Sequence, residues 1–225
     1  MFDDLLFSVL PYVVMFTFFL VTIQRYRQKS FSYSSLSSQF LSNERHFWSL
    51  VPFHYGILLV LAGHIVAFLF PRELLAFNSK PVRLYILEVA ALTGGLMTLI
   101  GLTAAAWRRW TTPQIRTVTN VSDWIVYALL FFQVGGGVMV AVAHPWGSSW
   151  FATSISPYLW SLVSLSPDMA TIAPLPWSVK LHIVNAYLLI GFFPFTRLVH
   201  VLVVPNPYLW RRPQIVRWAR RRRAA

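Results

Sequence analysis

The chain has 225 residues and no cysteine. That absence excludes a disulfide, a thiolate-held iron–sulfur cluster and a haem joined through thioether bonds. Charge is scarce as well, 12% of residues against 56% hydrophobic, and acid is the rarer sign, with 7 Asp and Glu facing 19 Lys and Arg. Soluble domains carry about 25% charged residues, so a water-soluble globular fold is excluded. What the sequence does contain is long apolar runs.

Five of these runs, residues 5–24, 48–70, 84–107, 124–143 and 179–204, approach the roughly 20 residues that a helix needs to cross about 30 Å of hydrocarbon. The expected fold is therefore all-α, a polytopic membrane protein with one five-helix domain over residues 1–206 and a basic tail over 207–225. The first run is too long, acidic in front and basic behind, for a cleaved signal peptide. A serine-rich linker follows it over 25–45, and Pro71 with the polar stretch 72–80 closes the second span. Asn120, Ser122 or Asp123 is expected to cap the fourth span, where Gly135, Gly136 and Gly137 permit close approach of a neighbour or a flat cofactor. Residues 144–178 are rich in Pro, Ser and Trp, with one short helical piece expected over 158–165. Fourteen Lys and Arg fall in the loops on one side and four on the other, which sets the N-terminus outside and the tail in the cytoplasm.

Ionisable side chains inside a span are costly and mark functional sites by default. Of six histidines, His54 and His64 lie in the second span and His182 and His200 in the fifth. A single histidine in a span ordinarily bonds a neighbouring helix, but these four match in depth under the topology read from charge. His54 pairs with His200 near the cytoplasm and His64 with His182 toward the outside, each pair predicted to grip the iron of a non-covalent b-type haem. Eighteen residues make five whole turns, so His182 and His200 are expected on one side of a continuous helix, while His54 and His64 differ by about 80°. The unequal rises, roughly 27 Å and 15 Å, call for tilt and a bend at Pro194. His46 and His144 read as interfacial.

The pattern Phe53-His54, Gly56-Ile57-Leu58 and Gly63-His64 combines with Leu181-His182, Phe193-Pro194-Phe195-Thr196-Arg197-Leu198, His200 and Val204-Pro205. Together with Ser37-Ser38-Gln39 and the turn holding Arg108, Arg109, Pro113 and Arg116, it resembles the gamma subunit of the membrane-bound respiratory nitrate reductase, a dihaem cytochrome b. The resemblance runs over nearly the whole chain and is weakest over 144–178. It implies a multi-pass protein of the cytoplasmic membrane with two b haems, ligated by His54 and His200 and by His64 and His182. It further implies quinol (menaquinol or ubiquinol) oxidised near the outer haem, and electrons passed to an iron–sulfur beta subunit and on to a molybdenum-containing alpha subunit that reduces nitrate.

Further roles follow from that likeness. Arg83 aligns with a basic residue of the quinol site, or serves as a snorkelling anchor; Gly63, beside His64, leaves room for a ring. Glu88 is expected to pair with a base or to take a quinol proton. Arg108, Arg109 and Arg197 are expected to meet haem propionates. The arginine-rich tail suits anionic lipid and a docking subunit rather than nucleic acid. Two rival functions share parts of this pattern: a haem b anchor for a formate dehydrogenase, hydrogenase or heterodisulfide-reductase-like complex, and a haem-free transporter or scaffold.

Overall fold

The structure, a computed structural model, describes residues 2–28 and 47–202. They form α1 (Phe2–Gln28), α2 (Phe47–Leu69), α3 (Pro71–Asn78), α4 (Pro81–Thr111), α5 (Val121–Ala143), α6 (Ser156–Val163) and α7 (Trp177–Phe192). No strand occurs among the described residues. Five helices, α1, α2, α4, α5 and α7 with its extension to Phe195, are long and apolar enough to cross a membrane. Their flanks stay uncovered, with Phe16 and Phe132 exposing 68% and 73% of their surface. Such rings stay outward only where the surroundings are themselves apolar. The all-α, five-span expectation therefore holds. The linker, His46 and the basic tail lie outside the described residues.

Helix starts follow local chemistry. Pro71 and Pro81 each occupy a first helical position, where the missing N–H costs nothing and the fixed φ suits the helix. Pro71 was expected only to stop the second span; it also begins α3, an eight-residue helix inside the stretch read as polar loop. Asn120 caps α5 in a reciprocal box with Asp123, whose carboxylate accepts the Asn120 backbone N–H at 3.0 Å.

The closest helix pair is α2 against α4, antiparallel. At Gly56 a Cβ would meet the Gly94 carbonyl oxygen at 2.5 Å, and at Gly101 it would meet the Phe53 backbone nitrogen at 2.4 Å. Bare backbones touch there, which only glycine allows. From α4 the packing runs on to α5, α7 and finally α1, so α2 and α7, the histidine-bearing helices, are not among the main packing pairs of the described residues. Helix α1 lies parallel to α7. Asp3 pairs with Lys180 at 2.6 Å at one end, and at the other the Arg25 guanidinium donates to the carbonyls of Pro194 and of Thr196, the latter at 2.8 Å.

Residues between α5 and α7 fold over one end of the bundle. Tyr158 of α6 is fully buried among Phe7, Val14, Ile172 and Tyr187. Its hydroxyl donates to the Phe7 carbonyl at 2.7 Å and so receives the Tyr187 hydroxyl proton at 2.8 Å. Ser156 and Trp160 donate to the Ala67 and Phe68 carbonyls, satisfying groups that the end of α2 leaves without helical partners. Burial pushes the Tyr158 phenol up to about 12.

One expectation fails. The fifth span is not a continuous helix to residue 204: α7 ends at Phe192, and Phe193–Phe195 and Arg197–Leu202 form tighter 3-10 turns. Pro194 has no N–H to donate and its ring collides with the carbonyl four residues back. Thr196 then runs extended, φ −115° and ψ 176°; its hydroxyl donates to Phe193 and accepts the Leu198 N–H. His182 and His200 consequently do not share one straight helix, and the five-turn argument that aligned them does not apply.

Candidate cofactor site

At the α6 end, His64 projects from α2 and is exposed, with Phe151 packed edge-on to its ring at 5.4 Å between centroids. His182 lies in the second turn of α7, which begins at the same end of the bundle. The His182 ring lies against α5, where a Cβ at Gly137 would meet its Cε1 at 3.0 Å. The glycine run thus makes room for an imidazole.

Hydrogen bonds fix the state of each ring. The Nδ1 atoms of His54, His64 and His200 face the carbonyls of Leu50, Val60 and Arg197 at 2.8, 2.8 and 2.7 Å. A carbonyl only accepts, so each Nδ1 carries the proton and each Nε2 keeps its lone pair. This is the tautomer, oriented by a carbonyl, that metal-ligating histidines adopt. His182 reaches the same state by another route. Asn185 Nδ2 donates to the Leu129 carbonyl at 3.0 Å and to Gln133 Oε1 at 2.8 Å, which turns Gln133 Nε2 toward His182 Nε2 at 3.2 Å. That nitrogen must accept, and the proton falls on His182 Nδ1, which is buried with no partner. Three imidazoles with uncommitted Nε2 lone pairs, a fourth whose Nε2 meets only the neutral Gln133 amide, and a bare glycine surface fit a pair of bis-histidine haems once that amide turns aside. Among the described residues no three His, Cys, Asp or Glu side chains converge on a point.

His54 and His200 belong to the opposite end. His54 is exposed on α2 and follows Phe53, the residue against Gly101; His200 is half-buried in the last 3-10 turn. Nearby, Asp123 is clamped between Arg109 at 3.0 Å and Arg197 at 3.2 Å, and Arg197 also donates to the Val118 carbonyl at 2.7 Å. Two of the three arginines expected at propionates thus hold a buried carboxylate that joins α4, α5 and the chain after α7. Arg108 is half-buried beside them.

Of the quinol candidates, Gly63 has nothing within 4 Å of where a Cβ would stand, so space is open beside His64. Arg83 is exposed in the first turn of α4 with its guanidinium over the Phe77 ring at 5.6 Å. Glu88 departs from the expected pairing with a base; it accepts from Ser148 instead. His144 bonds the Ser178 hydroxyl at 2.8 Å. Gln133 and Asn185 escaped the sequence reading, although an isolated amide in an apolar span is a recognisable sign of an interhelical bond.

The model of the nitrate reductase gamma subunit family matches residues 3–219. The chain belongs to that family. It is 29% identical over 211 residues to the nitrate reductase gamma chain of Bacillus subtilis (strain 168), covering 92% of this chain and 95% of that one. To the respiratory nitrate reductase 2 gamma chain of Escherichia coli (strain K12) it is 32% identical over 222 residues, covering 94% and 95%. The respiratory nitrate reductase 1 gamma chain of the same organism is 27% identical over 216 residues, again covering 94% and 95%. As a member of the gamma-subunit family with five spans, the chain is a multi-pass membrane subunit of a nitrate reductase complex.

Proposed function

We propose that this gamma subunit is a dihaem cytochrome b that oxidises quinol near the outer membrane face and passes the electrons inward. His64 and His182 hold the outer b haem, and His54 and His200 the inner one. The single observation that carries the reading is the common tautomer of the four imidazoles, with the Nε2 lone pair uncommitted on His54, His64 and His200 and, on His182, taken up by the Gln133 N–H at 3.2 Å, which must turn aside for a metal to bind. When bound, the haems supply one-electron couples that take up no proton. Gly63 and Arg83 contribute to the quinol pocket beside His64, the first by open space and the second by positive charge. Arg108 and the two arginines clamped on Asp123, Arg109 and Arg197, would place positive charge near the inner propionates, where guanidinium donors suit carboxylates. With no cysteine in the chain, electrons leaving the inner haem go to an iron–sulfur beta subunit and then to a molybdenum-containing alpha subunit that reduces nitrate. The N-terminus lies outside, the tail inside, and the membrane is the cytoplasmic one. Proton release outside with electron transfer inward stores energy in the membrane potential.

The test is spectroscopy of the complex purified in mild detergent. A b-type alpha band on dithionite reduction and two haems per gamma subunit are expected, with His64→Tyr and His200→Tyr each removing one haem and leaving the other. Loss of both haems or of neither from each variant would refute the pairing, and no alpha band in the native complex would end the haem reading.

A further inference from the structure

Glu88 sits two turns into α4, inside a span, where an ionised carboxylate is costly unless compensated. The carboxylates of Asp3 and Asp123 each face a cation. Glu88 has none among the described residues, since Arg83, one turn away, lies over Phe77. Neutral donors hold it instead: Oε1 accepts the Ser148 backbone N–H at 2.9 Å and the Ser148 hydroxyl at 2.6 Å. Asn78 stands behind, its Nδ2 donating to Ser148 Oγ at 2.9 Å and Ser149 Oγ at 3.0 Å. Asn78 is only 8% exposed, and its Oδ1 has no hydrogen-bond partner.

A guanidinium in place of Ser148 would lock the carboxylate in its charged form. Both Ser148 donors go to Oε1 and, among the described residues, no donor reaches Oε2, so one carboxylate oxygen is left to receive a proton. Its position agrees. The turn that binds Glu88 through Ser148 runs directly into Phe151, whose ring packs against His64, and Trp146 at its start packs against Tyr85 of α4. Glu88 and His64 therefore flank the same short segment, and Glu88 is half-buried and lies about 10 Å along α4 from its first residue.

We propose that Glu88 is the proton acceptor for quinol oxidation at this end of the bundle. The proposal rests on the preceding reading that quinol is oxidised beside His64. Conversion of a quinol to a quinone breaks two O–H bonds and sends two electrons, one at a time, to ferric b haem. Of the two protons left over, Glu88 takes one, forming an O–H bond at Oε2, gives it up to outside water, and takes the second in the same way. Ser148 keeps Oε1 occupied throughout, and Asn78 holds Ser148 in place.

Glu88→Gln in the intact complex tests this, because an amide oxygen still accepts both Ser148 bonds while the proton step is lost. Quinol-driven reduction of the haems is expected to slow by about a hundredfold or more, in the range of a lost general base, with a larger solvent deuterium isotope effect. Reduction by a one-electron viologen dye, which delivers no proton, is expected at the native rate. Glu88→Asp is expected to recover much of the quinol rate and Ser148→Ala to slow it less than Glu88→Gln. Quinol reduction of Glu88→Gln within about twofold of native would overturn the proposal, as would an equal loss in the dye assay. If Glu88→Gln failed to assemble, a native quinol rate and isotope effect in Ser148→Ala would overturn it equally. A native complex that dye reduces and quinol does not would instead overturn the quinol reading beneath, and this proposal with it.

Discussion

Gly101→Ala probes whether the α2–α4 contact holds His54 in place for the proposed inner haem. The added Cβ would stand 2.4 Å from the Phe53 nitrogen, 2.7 Å from its Cβ and 2.8 Å from its Cα. Carbon contacts relax only at about 3.5–4.0 Å, so α2 must retreat by about 1 Å at this point. The obstacle is backbone on both sides, and no side chain can swing away. Overpacking of this kind costs about 1–3 kcal/mol. His54 follows Phe53 on the same turn and moves with it, whereas metal–ligand distances tolerate about 0.2 Å. The expected result is loss of the haem proposed for His54 and His200, or a shifted midpoint potential for it, with the proposed outer haem unchanged. Haem content by pyridine haemochromogen and a redox titration of the alpha band measure both. Gly191→Ala, where a Cβ would stand 3.4 Å from the nearest atom, a Val14 methyl, is the control and should keep both haems. Two haems at native potentials in Gly101→Ala would refute the argument, since either the helices would not cross there or His54 would not be a ligand.

Two more expectations concern the ends of the bundle. Asp123→Asn removes the charge that Arg109 and Arg197 share; breaking a buried pair costs about 3–5 kcal/mol, reduced here because the Arg197 side chain is 28% exposed, so a lower thermal midpoint in detergent is expected and an unchanged one would show the clamp to be idle. For Tyr158 the folded value of about 12 exceeds the ordinary value of about 10. Its contribution to stability is therefore fully present below about pH 10 and is lost as pH rises through about 12. Melting against pH measures this, and in Tyr158→Phe, which orphans the Phe7 carbonyl at a cost of about 1–3 kcal/mol, the step between those pH values should disappear.

The spans were legible because a run of apolar residues long enough to cross a bilayer has few other uses, and their ends were blurred by only a few residues where Pro81 and Asn120 set the starts. Helix α3 was not legible: Pro71 signals both a stop and a start, and only packing of Leu74 against Ala67 and Ala152 decides. The break after Phe192 was foreseen as a bend at Pro194 but not as two separate turns, because the role of Thr196 depends on Phe193 and Leu198 at once. The four histidines stood out by rarity. Their tautomers did not, since three depend on local carbonyls and the fourth on a relay through Gln133 and Asn185. The clamp on Asp123 was hidden because Arg197 lies far away in sequence and reaches it only once α7 is in place.

The bonds from Arg25 to the carbonyls of Pro194 and Thr196 join the earliest helix to the latest. A ribosome delivers α1 long before its counterpart exists, and α2 likewise waits for the second imidazole of each couple. With the ligands proposed above, neither iron site is complete until α7 and the turns after it have been made, so porphyrin capture has to follow their insertion. A truncation before Pro194 would then be expected to leave a protein inserted in the bilayer yet colourless at the inner site, even with every helix before it intact.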